Sequence, residues 1–109
     1  MNVRSQILAK GKARSNPGKV LKKMRNRLGM TIRNVEDCSH RIARMEGIGE
    51  FSMSDTFLTE IENNGAIPSI HKLFSLSVIY RMRFADLLAL YGVDPEKTIE
   101  LPSGETPPQ

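Results

Sequence analysis

An all-α domain of five short helices is predicted for this 109-residue sequence by three observations. Apolar residues recur at helical spacing in five separate stretches. A Ser, Thr or Asn stands just before each of the first four, where its side chain can accept the free N–H groups of a helix start. Glycine follows four of the five, where the chain must leave the helix through a left-handed turn. No stretch alternates polar and apolar residues as a half-buried strand would, and no segment repeats.

Each helix follows from its own residues. In "SNPGKVLKKMRNRLGMT" Asn16 caps, Pro17 suits the first helical position, and Val20, Leu21, Met24 and Leu28 form one stripe. Lys22, Lys23, Arg25 and Arg27 cover the other faces, and Gly29 ends the helix. Thr31 caps the second helix, whose stripe is Ile32, Val35, Ser39, Ile42 and Met45. It is expected to run to about Arg44, because "EGIGEFSM" then brings two glycines and no period. The third helix starts after Ser52 or Ser54, turns Phe57, Leu58 and Ile61 inward, and stops at "NNG". After Pro68, Ser69 caps a fourth helix with Ile70, Leu73, Phe74, Ser77 and Tyr80 inward. The fifth gathers Phe84, Leu87, Leu88 and Tyr91 and ends at Gly92.

The domain is thus expected at residues 16–93, between a flexible basic arm (1–15) and a flexible acidic tail (94–109). Four of the last seventeen residues are proline, and no apolar period survives among them.

Composition narrows the function classes. The chain is 39% hydrophobic and 26% charged, with mean hydropathy −0.32, as in ordinary soluble domains. No apolar run approaches the roughly 18 residues of a membrane span, and the basic N-terminus lacks the apolar segment of a secretory signal. The one cysteine, Cys38, cannot form an internal disulfide, so a cytoplasmic location and no membrane partner are expected.

Charge is unevenly spread. The net +4 hides ten of the sixteen basic side chains in residues 1–33, ahead of the first acid, Glu36. The remaining 76 residues hold 6 basic and 12 acidic groups. Such a cationic block attracts polyanions, since each phosphate neutralised releases a condensed counterion.

The order of these stretches has a counterpart. "LKKMRNRLGMTIRNVEDCS", "MSDTFLTEIENNG", "IPSIHKLFSLSVIY" and "FADLLALYGVD" together resemble the Cro and phage-repressor-like helix-turn-helix family, also called the XRE family, from about Pro17 to Val93. The most specific part is a Ser-x-x-aromatic-Leu-x-x-Ile-Glu-Asn run followed shortly by Pro-Ser-Ile. The resemblance implies a repressor-like helix-turn-helix domain that binds double-stranded DNA as a transcriptional regulator, commonly as a homodimer on two half-sites. The third helix would lie in the major groove, with Asp55, Thr56, Thr59 and Glu60 facing bases. Thr31, Ile32 and Arg33 at the start of the second helix, and Asn63, Asn64 and Lys72 after the third, would face phosphates. Leu58, Ile61 and Leu73 would be core, and Glu62 structural. Lys10, Lys12 and Arg14 in the basic arm would reach the minor groove.

The chain departs from the family pattern in three places. Ile32 stands where a polar residue is usual, and Arg33 is its natural substitute for phosphate contact. Glu36 stands at the mid-helix position expected to be small and packed on the third helix, so it must reach solvent or a basic partner. Fourteen residues separate Ser39 from Ser54, an extended connection between the second and third helices that brings Arg41 and Arg44 as further cations.

The alternative reading is a helix-turn-helix-derived protein-interaction or antitoxin-like module that has lost specific DNA binding. The acidic third helix, with Asp55, Glu60 and Glu62 and no Lys or Arg, favours it, as do Glu36 and the long connection before that helix. Neither an enzyme nor a cofactor is expected, because no phosphate loop or nucleophile–base set appears. No metal site is expected either. Cys38 and His40 point in different directions on a helix, and a structural zinc site needs about four converging ligands. Met24, Met30 and Met53 read as gap-fillers of the core.

Overall fold

Five α-helices and one 3-10 turn account for the ordered elements, in a computed structural model that describes residues 16–102. In chain order they are α1 (Pro17–Arg27), α2 (Ile32–Glu46), the 3-10 turn (Gly49–Phe51), α3 (Asp55–Asn64), α4 (Ile70–Ile79) and α5 (Phe84–Leu90). No strand occurs among the described residues, so the fold class is all-α. None of these helices is long and apolar enough to cross a membrane.

The helix starts follow local chemistry. Asn16 Oδ1 accepts the Lys19 N–H at 3.1 Å. Thr31 and Asn34 form a reciprocal capping box, each side chain accepting the other's backbone N–H at 3.0 and 2.8 Å. Ser54, rather than Ser52, caps α3 through the Phe57 N–H at 3.1 Å, and Ser69 caps α4 through Lys72 at 3.3 Å. At the other ends Gly47 and Gly65 hold φ of 72° and 73°, which closes α2 and α3 at no steric cost. The turn after α4 lacks a glycine, and Arg81 takes the left-handed conformation there at φ 57°.

Leu21, Val35, Met53, Leu58, Ile61, Leu73, Leu76, Tyr80, Met82, Leu87 and Leu90 form one contiguous core. α1 lies against α3, while α2 and α4 sandwich the 3-10 turn. Four residues expected inside are not. Leu28 lies just past the end of α1 and is exposed. Met45 is 81% exposed because the last turns of α2 run beyond the core. Ile70 and Phe74 also face outward. The 3-10 turn lies against α4, where buried Ser75 donates to the Phe51 carbonyl at 2.6 Å. That contact rotates the buried arc of α4 onto Leu73, Leu76, Ser77 and Tyr80.

α1 approaches α3 as closely as backbone allows. A β-carbon on Gly18 would stand 2.6 Å from the Glu62 carbonyl oxygen and collide also with that of Ile61. Alanine favours a helix by about 1 kcal/mol over glycine, but overpacking of this kind costs about 1–3 kcal/mol. Gly18→Ala is therefore expected to lower the unfolding free energy in a urea titration. A stabilised variant would contradict the close approach of the two helices.

Candidate nucleic-acid interface

The start of α3 is held from three sides. Ser39 of α2, fully buried, accepts the Met53 N–H at 2.8 Å and donates to its own helix at the Glu36 carbonyl, also at 2.8 Å. Met53 is buried one residue ahead of the Ser54 cap. The preceding 3-10 turn is fixed to α4 through Ser75, through Lys72 Nζ donating to the Glu50 carbonyl at 3.0 Å, and through Phe51 packed edge-on against His71 and Phe74. The extended connection is therefore an ordered bracket between α2 and α4. α2 itself continues to Glu46, two residues past the predicted end.

The other end of α3 is fixed by an ion pair. Arg25 of α1 meets Glu62 with two hydrogen bonds, Nε to Oε2 at 2.7 Å and Nη2 to Oε1 at 3.0 Å. The two side chains are only 11% and 4% exposed. Arg25 Nη1 also donates to the Met30 carbonyl at 2.9 Å, tying in the turn that leads to α2. The bond to Glu62 raises the pKa of Arg25 above its usual value, against the opposing effect of burial. Burial pushes the phenol of Tyr80 up as well, and the Glu62 carboxylate adds to that rise. Glu62 thus points inward and adds no charge to the outer face of α3.

That outer face is polar. Asp55, Thr56, Thr59, Glu60, Asn63 and Asn64 are all exposed and occupy one side of the helix, opposite Leu58, Ile61 and Glu62. Both of its carboxylates accept a local hydrogen bond. Glu60 Oε2 accepts from Asn64 Nδ2 at 2.9 Å, and Asp55 Oδ1 from the Thr56 hydroxyl at 3.4 Å. Thr59, exposed, donates its hydroxyl to the Asp55 carbonyl at 2.9 Å.

The cations divide into two groups. Lys19, Lys22, Lys23 and Arg27 lie exposed on the side of α1 away from the core, with Arg33 exposed at the start of α2. Arg25 belongs with Glu62 instead and is not available to a polyanion. Of the residues assigned to phosphate, Thr31 is exposed but spends its hydroxyl and its N–H on the capping box. Ile32 is half-buried and packs on the core. Lys72 is half-buried with one of its three ammonium donors on Glu50. Arg41 is exposed on α2 and Arg44 lies near its C-terminal end. Lys10, Lys12 and Arg14 lie outside the described residues.

Glu36 finds its charge partners within its own helix. Ser39, three residues on, takes the small-residue contact, because the ordered bracket brings Met53 to that turn of α2. Glu36 is half-buried between Arg33 and His40, each with a nitrogen 3.6 Å from one of its oxygens. A carboxylate so placed avoids the cost of an unpaired buried charge. Two contacts had no local signal in the sequence: Arg25–Glu62 spans 37 positions and Ser39–Met53 spans 14. Cys38 is a free, half-buried thiol, and no group of three or more His, Cys, Asp or Glu is arranged to hold a metal among the described residues. Comparison with known proteins returns no matching family model, no matching curated protein and no matching solved structure.

Proposed function

We propose that this chain binds double-stranded DNA in a sequence-selective manner as a transcriptional regulator, using a repressor-like helix-turn-helix arrangement of α2 and α3. The observation that carries the reading is the outer side of α3: six exposed polar residues on a helix clamped at both ends, directly beside a helix with four exposed cations. Base discrimination needs rigidly aimed hydrogen-bonding groups, whereas affinity comes largely from cations on phosphate. The chain separates the two tasks. Thr56 and Thr59 offer hydroxyl oxygen and methyl to base edges, and Asp55 or Glu60 can accept from the amino group of cytosine. The acidic residues are no obstacle so long as they meet such a donor. Their local partners, Thr56 and Asn64, keep them hydrogen-bonded when DNA is absent.

Selection of bound sequences from random duplexes tests the reading. A defined motif is expected, and Thr56→Ala or Thr59→Ala is expected to relax the preference at one or two positions, by about 1 kcal/mol each at the low end of base-contact energies. Binding that is strong but indifferent to sequence, or a motif untouched by both substitutions, defeats the assignment of α3. The outward apolar residues of α4 favour the second reading, a helix-turn-helix-derived interaction or antitoxin-like module. Under that reading the affinity for duplex DNA stays weak at every salt concentration.

A further inference from the structure

The outer side of α3 is short of hydrogen-bond donors. Its six exposed polar residues include no Lys, Arg, His or Gln. Thr56 and Thr59 each carry one hydroxyl hydrogen, and both are committed, to the Asp55 carboxylate at 3.4 Å and the Asp55 carbonyl at 2.9 Å. Asn64 spends one of its two amide hydrogens on Glu60 at 2.9 Å. Free amide hydrogens therefore occur only at Asn63 and Asn64, the last two residues of the helix. Ahead of them the carboxylates of Asp55 and Glu60 can only accept. Neither has an ion-pair partner among the described residues.

We infer, resting on the reading of α3 as the base-facing helix, that this side selects duplexes through the exocyclic amino groups of cytosine. One cytosine lies opposite Asp55 and a second opposite Glu60, and a methyl group on that nitrogen blocks recognition. The base edges leave few choices. In the major groove guanine shows two acceptors, and thymine one acceptor beside its methyl group, so a carboxylate facing either finds no hydrogen. Adenine shows a donor with an acceptor beside it, which suits the carboxamide of Asn or Gln. Cytosine alone shows a donor with no acceptor at its side. A carboxylate carried into the groove loses hydration and stands between rows of phosphates. The base that returns a charge-assisted hydrogen bond is therefore favoured over the others, by about tenfold or more. Asp55 and Glu60 are five residues apart, about 7.5 Å along the helix axis. That exceeds the roughly 3.4 Å rise of a base pair, so the two carboxylates address different pairs.

Selection from random duplexes supplies the motif bound by the full chain, and each of its cytosines is then replaced in turn by N4-methylcytosine. That base still pairs with guanine through its remaining N4 hydrogen, while its methyl group takes the place that faces the groove. Affinity is expected to fall at least about tenfold at two positions, and to hold when the methyl group is placed outside the motif. Asp55→Asn and Glu60→Gln are each expected to move the preference at one of those positions from cytosine to adenine, because a carboxamide adds the donor that adenine N7 requires. Preference rather than affinity is the readout, since losing a negative charge tightens binding to every duplex. Both sites are exposed, and circular dichroism checks that each variant stays folded. A motif without cytosine, cytosines that tolerate the methyl group, or variants that keep the parent's preference overturn the cytosine assignment and leave sequence-selective binding standing. The absence of any motif defeats the reading of α3 itself, and the cytosine assignment falls with it.

Discussion

Arg25→Ala is expected to lower the unfolding free energy by about 3–5 kcal/mol, the usual result of removing one partner from a buried ion pair. The loss comes less from the missing attraction than from what stays behind. Glu62, 4% exposed at its side chain, would keep a carboxylate near Tyr80 with no cation, and the Met30 carbonyl would be left without its donor. For a domain of this size each kcal/mol moves the thermal midpoint by about 4–8 °C, so a drop of roughly 15–30 °C is expected in a melting experiment. A stability of about 5–10 kcal/mol would be largely consumed. The control is the joint apolar replacement Arg25→Met with Glu62→Leu, which removes both charges and is expected to recover most of the loss. Added salt should leave the parent's melting point nearly unchanged, since screening acts weakly on a pair this buried. A single-substitution cost below about 1 kcal/mol would mean that the pair behaves like a surface salt bridge. The pair would then not fix α3 against α1.

The parts of this fold that were legible in the sequence are those whose causes are local. Asn16, Thr31, Ser54 and Ser69 cap because a short oxygen-bearing side chain beside a helix start has orphan N–H groups within reach, whatever surrounds it. Gly47 and Gly65 end helices for an equally local reason. What spacing alone could not decide is which of two apolar arcs faces inward. On α4 both Ile70–Phe74 and Leu73–Leu76–Tyr80 fit a helical period, and the choice is made by the 3-10 turn lying against α4 at Ser75, 24 positions away. The same turn lies in "EGIGEFSM", where Gly49 and Ser52 hide a compact bracket behind the composition of a loop. In the candidate site, the exposed polar side of α3 follows from its own period. The removal of Arg25 from the cationic surface does not, because nothing near Arg25 in sequence announces Glu62.

That reassignment makes the second large effect specific to the outer side of α1. Replacing Lys19, Lys22, Lys23 and Arg27 together by glutamine is expected to reduce the slope of log affinity against log salt by up to about 3–4, at close to 0.9 for each phosphate left without its cation. At roughly 0.1 M salt this corresponds to a drop on the order of a thousandfold in affinity for duplex DNA. All four side chains are exposed, and no hydrogen bond or ion pair involves their charged groups among the described residues, so the domain should keep its melting temperature within about a degree or two. Because these groups would touch phosphate and not base edges, the preferred sequence should survive while every duplex is bound more weakly. Thr56→Ala and Thr59→Ala should do the reverse, altering the preference at nearly constant salt slope. The two sets of variants therefore separate grip from reading in one pair of titrations. If the fourfold variant keeps the parent's slope, the phosphates are gripped elsewhere, and Arg33, Arg41 and Arg44 on α2 become the described cations to replace next.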